Sequence, residues 1–250
     1  NEVVDRRRSG RQQKYDKPEL IATGPNQVWS WDITKVKGPQ KGSLFYVYVI
    51  IDIYSRYVVG WLIAEREKSE IAKYLIEETC SREQVNPHQL TIHSDRGSSM
   101  NSQLVADLLV ELGVVKSLNR PHVSNDNPYS ESQFSTLKSR PEFPDRFGSI
   151  EDARSFCTTF FRWYNREHYH SGIAMLTPHM VQRGKGVEIL RKRNAVMLTT
   201  YKRHPERFVR GLPRPFVLPE AAWINPPAQK SRENNENATI SDGTFIGSVR

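Results

Sequence analysis

Between residues 26 and 64 the chain is written almost entirely in strand-forming residues. "QVWSWDITKV" is rich in Val, Trp, Ile and Thr, "LFYVYVIIDIYS" is almost continuously apolar, and "RYVVGWLIAE" follows directly. Near-continuous apolar runs of this kind belong to strands buried on both faces, so three neighbouring strands open the body. "SEIAKYLIEETCSREQV" then carries Ile71, Tyr74, Leu75 and Cys80 near helical spacing, and "QLTIHSDRG" is a short strand closing at Gly97. "NSQLVADLLVELG" is an amphipathic helix with Asn101 or Ser102 as cap, Leu104, Leu108, Leu109 and Leu112 on one face, and Gly113 as its stop. "VVKSLN" is one more strand. Strands followed by alternating helices and strands imply an α/β domain with a mixed sheet.

Further on, "SIEDARSFCTTFFRWYNREHYH" reads as one long helix capped by Ser149, with Asp152 completing a capping box. Its Phe156, Phe160, Phe161, Trp163 and Tyr164 are core-packing residues rather than a platform for stacked bases. Residues 215–250 read as an extended tail, of which the last twenty look disordered.

The net charge of +8 is unevenly placed. Residues 183–214 hold ten lysines and arginines against Glu188 and Glu206, a surplus of eight, and residues 1–25 add a surplus of two. Residues 26–182 come to −1. A nearly neutral body with basic flanks fits a polyanion held by the flanks, although a solvated basic tail has the same composition. Within the second flank Arg191, Lys192, Arg193, Lys202 and Arg203 are the candidate phosphate contacts.

Other classes fall away. No apolar run reaches the roughly 18 residues that span a bilayer, and no apolar signal region follows the basic start, so a soluble, unsecreted protein is expected. Cys80 and Cys157 lie far apart in helix-like patterns and read as small core residues. His168 and His170 have no cysteine near them to complete a zinc set.

Three acids stand out by position: Asp32 inside the first strand, Asp95 at the end of the fourth, and Glu131 where "SNDNPYSESQFSTLKSR" changes from a turn-forming loop to a helix. An acid inside a buried strand is costly unless something compensates it, and divalent metal compensates several acids together. Taken singly, each is read more simply as an acid paired with an arginine.

Together the segments "WSWDIT", "HSDRG" and "DNPYSESQFSTLK" resemble the integrase-core transposases of bacterial insertion sequences, relatives of retroviral integrase. The 35 residues between Asp95 and Glu131 match the spacing that defines this Asp, Asp, Glu group. "DIYSRYVVGW" and "YNREHYHSGI" followed by "TP" also look like that family, and the resemblance covers about residues 26–180. It implies a ribonuclease H-like fold with a mixed five-stranded sheet flanked by helices. Asp32, Asp95 and Glu131 would then be the catalytic acids and the ligands of two Mg²⁺ or Mn²⁺ ions, Asp32 bridging both. Lys138, seven residues after Glu131, matches a position that contacts the element's end, and Arg96 and Asn127 are further candidate DNA contacts. The implied reaction is transesterification without a covalent enzyme intermediate: water frees a 3′-hydroxyl at the element's end, and that hydroxyl attacks target DNA.

The resemblance also implies DNA as partner, a homo-multimer on DNA, and a cytoplasmic, bacterial, nucleoid-associated protein. The chain divides into a basic connector (1–25), a catalytic core (26–182), a basic DNA-contacting segment (183–214) and the tail. The stretch ahead of the core has no room for the helix-turn-helix region that family members carry, so a separate subunit or a missing N-terminal domain is expected to read the ends. His168 stands where the family often has Arg. The loop before Glu131, with Asn125, Asp126, Asn127 and Pro128, is expected to order only when DNA and metal arrive, making Glu131 the most mobile of the three acids. Asp52 is expected to order a turn with Ser55 or Arg56. Two rival readings are a ribonuclease H-like nuclease that cuts without joining, and an inactive DNA-binding remnant.

Overall fold

A computed structural model describes residues 17–227 apart from 122, 124 and 125. The expected disorder of the last twenty residues, and Asn125, lie outside the described residues. The three opening strands are β2 (Val28–Lys37), β3 (Leu44–Asp52) and β4 (Val58–Ala64), preceded by a short β1 (Leu20–Ala22). After them come α1 (Ser69–Arg82), β5 (Thr91–Ser94), α2 (Gln103–Glu111) and β6 (Val115–Leu118). The chain continues through α3 (Pro128–Lys138), α4 (Ile150–Arg166), α5 (Pro178–Gln182), α6 (Gly186–Arg203) and β7 (Ala222–Ile224).

Five strands form one mixed sheet in the order β4-β3-β2-β5-β6. The first three are antiparallel neighbours, and β5 and β6 join in parallel. Strand periodicity then sorts the side chains. Tyr48 and Ile50 of β3, with Trp29 and Trp31 of β2, pack under α1 and α2. Phe45, Val47, Val49 and Ile51 of β3, with Val36 of β2, pack under α3 and α4. Helices on both faces explain why β3 reads as one apolar run. Cys80 and Cys157 are buried free thiols, one in each layer, as expected.

Local signals set the helix ends. The Ser102 hydroxyl accepts from the Val105 amide at the start of α2, and Gly113, at φ +64°, turns the chain after it. Ser149 caps α4 by accepting from the Asp152 amide at 3.0 Å. This helix ends at Arg166 and not at His170 as expected. The Glu167 and His168 amides both return to the Trp163 carbonyl, and His170 bridges to Leu176, which commits the "HYH" stretch to a turn.

β1, inside the expected connector, pairs antiparallel with β7, inside the expected tail, in the register Leu20↔Ile224. Ala22, Val28, Ile53, Ala222 and Ile224 make a small apolar cluster that holds this second sheet against the first. α6 buries only Gly186 and Leu190, and Leu190 packs with Ile173, Leu176 and Val181. Among the described residues no helix is long and apolar enough to cross a membrane.

Candidate active site

The α3 face of β2 carries Ser30, Asp32, Thr34 and Val36 in alternation. Ser30 is the seat of α3: its hydroxyl donates to Asn127 Oδ1 and lies 2.6 Å from Ser130 Oγ, while Asn127 Nδ2 donates to the Trp31 carbonyl. Glu131, next in sequence after Ser130, is thereby fixed near Asp32, two residues along the strand from that seat. Asp95 arrives from the other side. β2 and β5 are parallel with Trp31 opposite Ser94, so one further step of the register places Asp95 beside Asp32. Asp95 Oδ1 accepts the Gly97 amide at 2.9 Å, which shapes the turn leaving β5.

Electrostatics tie the three acids together. Burial raises the Asp32 carboxyl from 3.8 to about 7. The Ile33 amide, 2.7 Å from Oδ1, opposes the rise, Asp95 and Glu131 add to it, and Lys138 offsets part. Asp32 is thus the half-buried member, whereas Asp95, Glu131 and Lys138 are exposed. Among the described residues none of the three acids makes an ion pair, and no three Asp, Glu, His or Cys side chains converge as a ready cage for a metal ion.

The helix that carries Glu131 is formed and anchored. Within the loop expected to order only with DNA and metal, Asp126 and Asn127 are buried in hydrogen bonds. Asn127, a candidate DNA contact, is only 2% exposed, with its amide engaged by Ser30 and the Trp31 carbonyl.

The remaining candidates divide. Arg96 is exposed, and its Nε donates to the Asn119 carbonyl at 2.9 Å. On α6, Lys192 pairs with Glu188 at 2.5 Å, and Arg193 donates to the Met175 carbonyl at 2.7 Å. Arg191, Lys202 and Arg203 are exposed. The apolar cluster beneath α6 is separate from those beneath the acids. Asp52 is fully buried and orders a turn as expected, accepting from the Ser55 amide and hydroxyl and from the Asn26 amide. Burial pushes its carboxyl up to about 6. His93 reaches the Asp126 carbonyl at 2.8 Å and Ser117 Oγ at 2.9 Å. Sequence reasoning missed Ser30 and the burial of Asp126, because a serine within a strand and an aspartate in an Asn/Pro run both look unremarkable.

Comparison with known proteins agrees with this geometry. Residues 22–124 match a family model described as Integrase core domain, and residues 112–178 match a second model with the same description. The transposase for insertion sequence element IS904 of Lactococcus lactis subsp. lactis (strain IL1403) is 30% identical over 171 residues, covering 65% of this chain and 65% of its own length. The putative transposase InsK for insertion sequence element IS150 of Escherichia coli (strain K12) is 27% identical over 161 residues, covering 64% and 56%. The chain therefore spans between about half and two thirds of the length of these curated relatives. A chain in the cryo-EM structure of the simian T-cell lymphotropic virus intasome in complex with PP2A regulatory subunit B56 gamma has a TM-score of 0.51 and 17% identity. That match covers 65% of this chain and 56% of the other, and with the strand order above it makes the fold ribonuclease H-like. Residues 22–178 are thus accounted for, by two overlapping matches, as similar to the integrase core domain.

Proposed function

We propose that this chain is the catalytic part of a DNA transposase, with Asp32, Asp95 and Glu131 serving metal-dependent strand cleavage and strand transfer. One observation carries the reading. Acids from β2, the end of β5 and α3 act on one another at one end of the sheet, and the innermost is raised to about 7. The transposase relatives support it.

The donor set fits the expected group. Carboxylate oxygens are the hard ligands that Mg²⁺ and Mn²⁺ take, and these three make no ion pair among the described residues. Asp32, Asp95 and Glu131 would hold two such ions, which when bound supply Lewis-acid polarisation of the phosphate and a more acidic attacking hydroxyl. The chain's own residues do the rest. Asp32 gives up its proton as the site loads, and the exposed Glu131 turn leaves the site open to a duplex. Lys138, in the last turn of α3, offers a positive charge to the phosphate backbone. Arg191, Lys202 and Arg203 on α6 add phosphate contacts that hold DNA without reading its sequence. The partners are element ends and target DNA, bound by a homo-multimer because two ends must meet, with end recognition supplied by a helix-turn-helix region or subunit.

Strand joining on a pre-cleaved element-end duplex with Mg²⁺ or Mn²⁺, compared with Glu131→Gln, tests this. Joined product that disappears in the variant supports the transferase. Cutting without joining favours the nuclease, and DNA binding with no turnover by either protein favours the remnant.

A further inference from the structure

Five residues before Glu131, the Asp126 carboxylate is 0% exposed and takes four donors. Arg120 donates three times at 3.0 Å, from its backbone amide, Nε and Nη2. The fourth donor is Asn225 Nδ2 at 2.8 Å, from a residue 99 positions later in the chain. The carbonyl of the same Asp126 meets His93 Nε2 at 2.8 Å, and His93 lies on β5 two residues before Asp95. One buried residue therefore touches the strand that delivers Asp95, the entry to the helix that delivers Glu131, and the returning C-terminal arm.

The arm has a second grip. The Tyr129 hydroxyl, two residues before Glu131, donates to the Trp223 carbonyl at 2.9 Å. Trp223 belongs to β7, which β1 holds in register, and Lys17 Nζ reaches the Pro226 carbonyl at 3.2 Å. Asn225 sits at φ +53°, a left-handed conformation that asparagine tolerates better than most residues, just where the chain leaves β7. A buried network with every donor placed in this way fixes one geometry.

We infer that Asp126 and Asn225 are positioning residues: the strap Ala222–Asn225 fixes the first turn of α3, and with it Glu131, against Asp32 and Asp95. The condition of the C-terminal arm thereby sets how well the three acids take up a divalent cation. The cation-binding half of this inference rests on the function proposed above; the mechanical half does not. A strap that served stability alone would lower the melting temperature when cut and leave cation affinity unchanged.

The test uses the full chain and three variants. Asn225→Asp keeps the size of the side chain but sets a second carboxylate against Asp126, Asn225→Ala removes the donor, and Tyr129→Phe removes only a hydroxyl. Amide hydrogen exchange is measured without metal, and Mn²⁺ binding is measured directly on protein without DNA. In Asn225→Asp, exchange across residues 128–134 is expected to quicken at least tenfold with α4 unchanged. The Mn²⁺ dissociation constant is expected to rise roughly tenfold, the scale on which losing an outer hydrogen-bond partner weakens a metal site. Asn225→Ala should shift both readouts in the same direction by less. A folded Asn225→Asp with unchanged exchange and unchanged Mn²⁺ binding overturns the inference. If that variant does not fold, Tyr129→Phe carries the decision, with a shift of a few fold in both readouts expected and no shift in either counting against. Variants that loosen α3 and weaken Mn²⁺ binding in a chain that never joins strands would sink the transferase and leave the positioning role standing.

Discussion

Asp126 should be visible in the acid stability of the fold. Burial works to raise its carboxyl, but the side-chain and backbone hydrogen bonds of Arg120, then that of Asn225, win and bring it from 3.8 to about 2. A carboxyl that binds its proton less readily folded than unfolded contributes stability that is complete above its unfolded value, near 4, and lost as pH falls through about 2. The shift of almost two pH units corresponds to about 2 kcal/mol. The side chain is fully buried, so solvent screening takes little away. The exposed pairs Lys37 with Asp145 and Lys192 with Glu188 contribute little, and equally to wild type and variant. Urea unfolding of wild type and Asp126→Asn from about pH 7 to pH 2 measures the difference. The variant is expected to be less stable by about 2 kcal/mol at neutral pH, with the gap closing toward pH 2. A gap that stays constant over that window would refute the charge argument and assign the loss to packing.

Three other expectations come from the same geometry. Ser30→Ala leaves Asn127 Oδ1 and Ser130 Oγ short of a buried partner, and should cost about 1 to 3 kcal/mol in thermal or urea unfolding; a neutral variant would mean that Ser30 is not the seat of α3. Asp32→Asn removes a carboxyl raised to about 7 by burial first and by Asp95 and Glu131 next. A raised acid costs stability as pH climbs from 3.8 through 7, so above pH 7 the metal-free variant should be more stable by about 1 to 3 kcal/mol, discounted for partial exposure, while strand joining is lost. Equal melting temperatures at pH 8 would contradict this. Replacing Arg191, Lys202 and Arg203 by Ala should lower the slope of log affinity against log salt by about 2 to 3, and an unchanged slope would take α6 off the DNA path.

What could be read in the sequence was whatever broke a local pattern. β2 to β4 were legible because burial on both faces turns alternation into an apolar run, and β3 shows that burial. Asp32 was legible because a carboxylate within such a strand is anomalous. The link from Ser30 to α3 was not, since a serine at that place looks like any polar strand residue until its partners arrive from a distant helix. Nor was the pairing of β1 with β7. "LIA" and "AWI" are too short for periodicity, and their register depends on contacts across most of the chain. The end of α4 was overrun for a related reason: "REHYH" does not forbid a helix, and the bridge from His170 to Leu176 that ends it is a tertiary choice.

The acids also explain one another once their donors are compared. A carboxylate has room for about four hydrogen bonds. Asp126 receives four from protein and Asp52 at least three, so each is satisfied where it is buried. Among the described residues Asp32 receives one, from the Ile33 amide, Asp95 one, from the Gly97 amide, and Glu131 none. Unused acceptor capacity thus belongs to the three candidate acids, while Asp126 and Asp52 are saturated. A protein selected for stability alone would have met Asp32 with an arginine, as it met Asp126 with Arg120. Among the described residues the three acids make no ion pair and only Lys138 offsets part of the charge at Asp32, so the divalent cation proposed above would meet oxygen donors that no ion pair has closed.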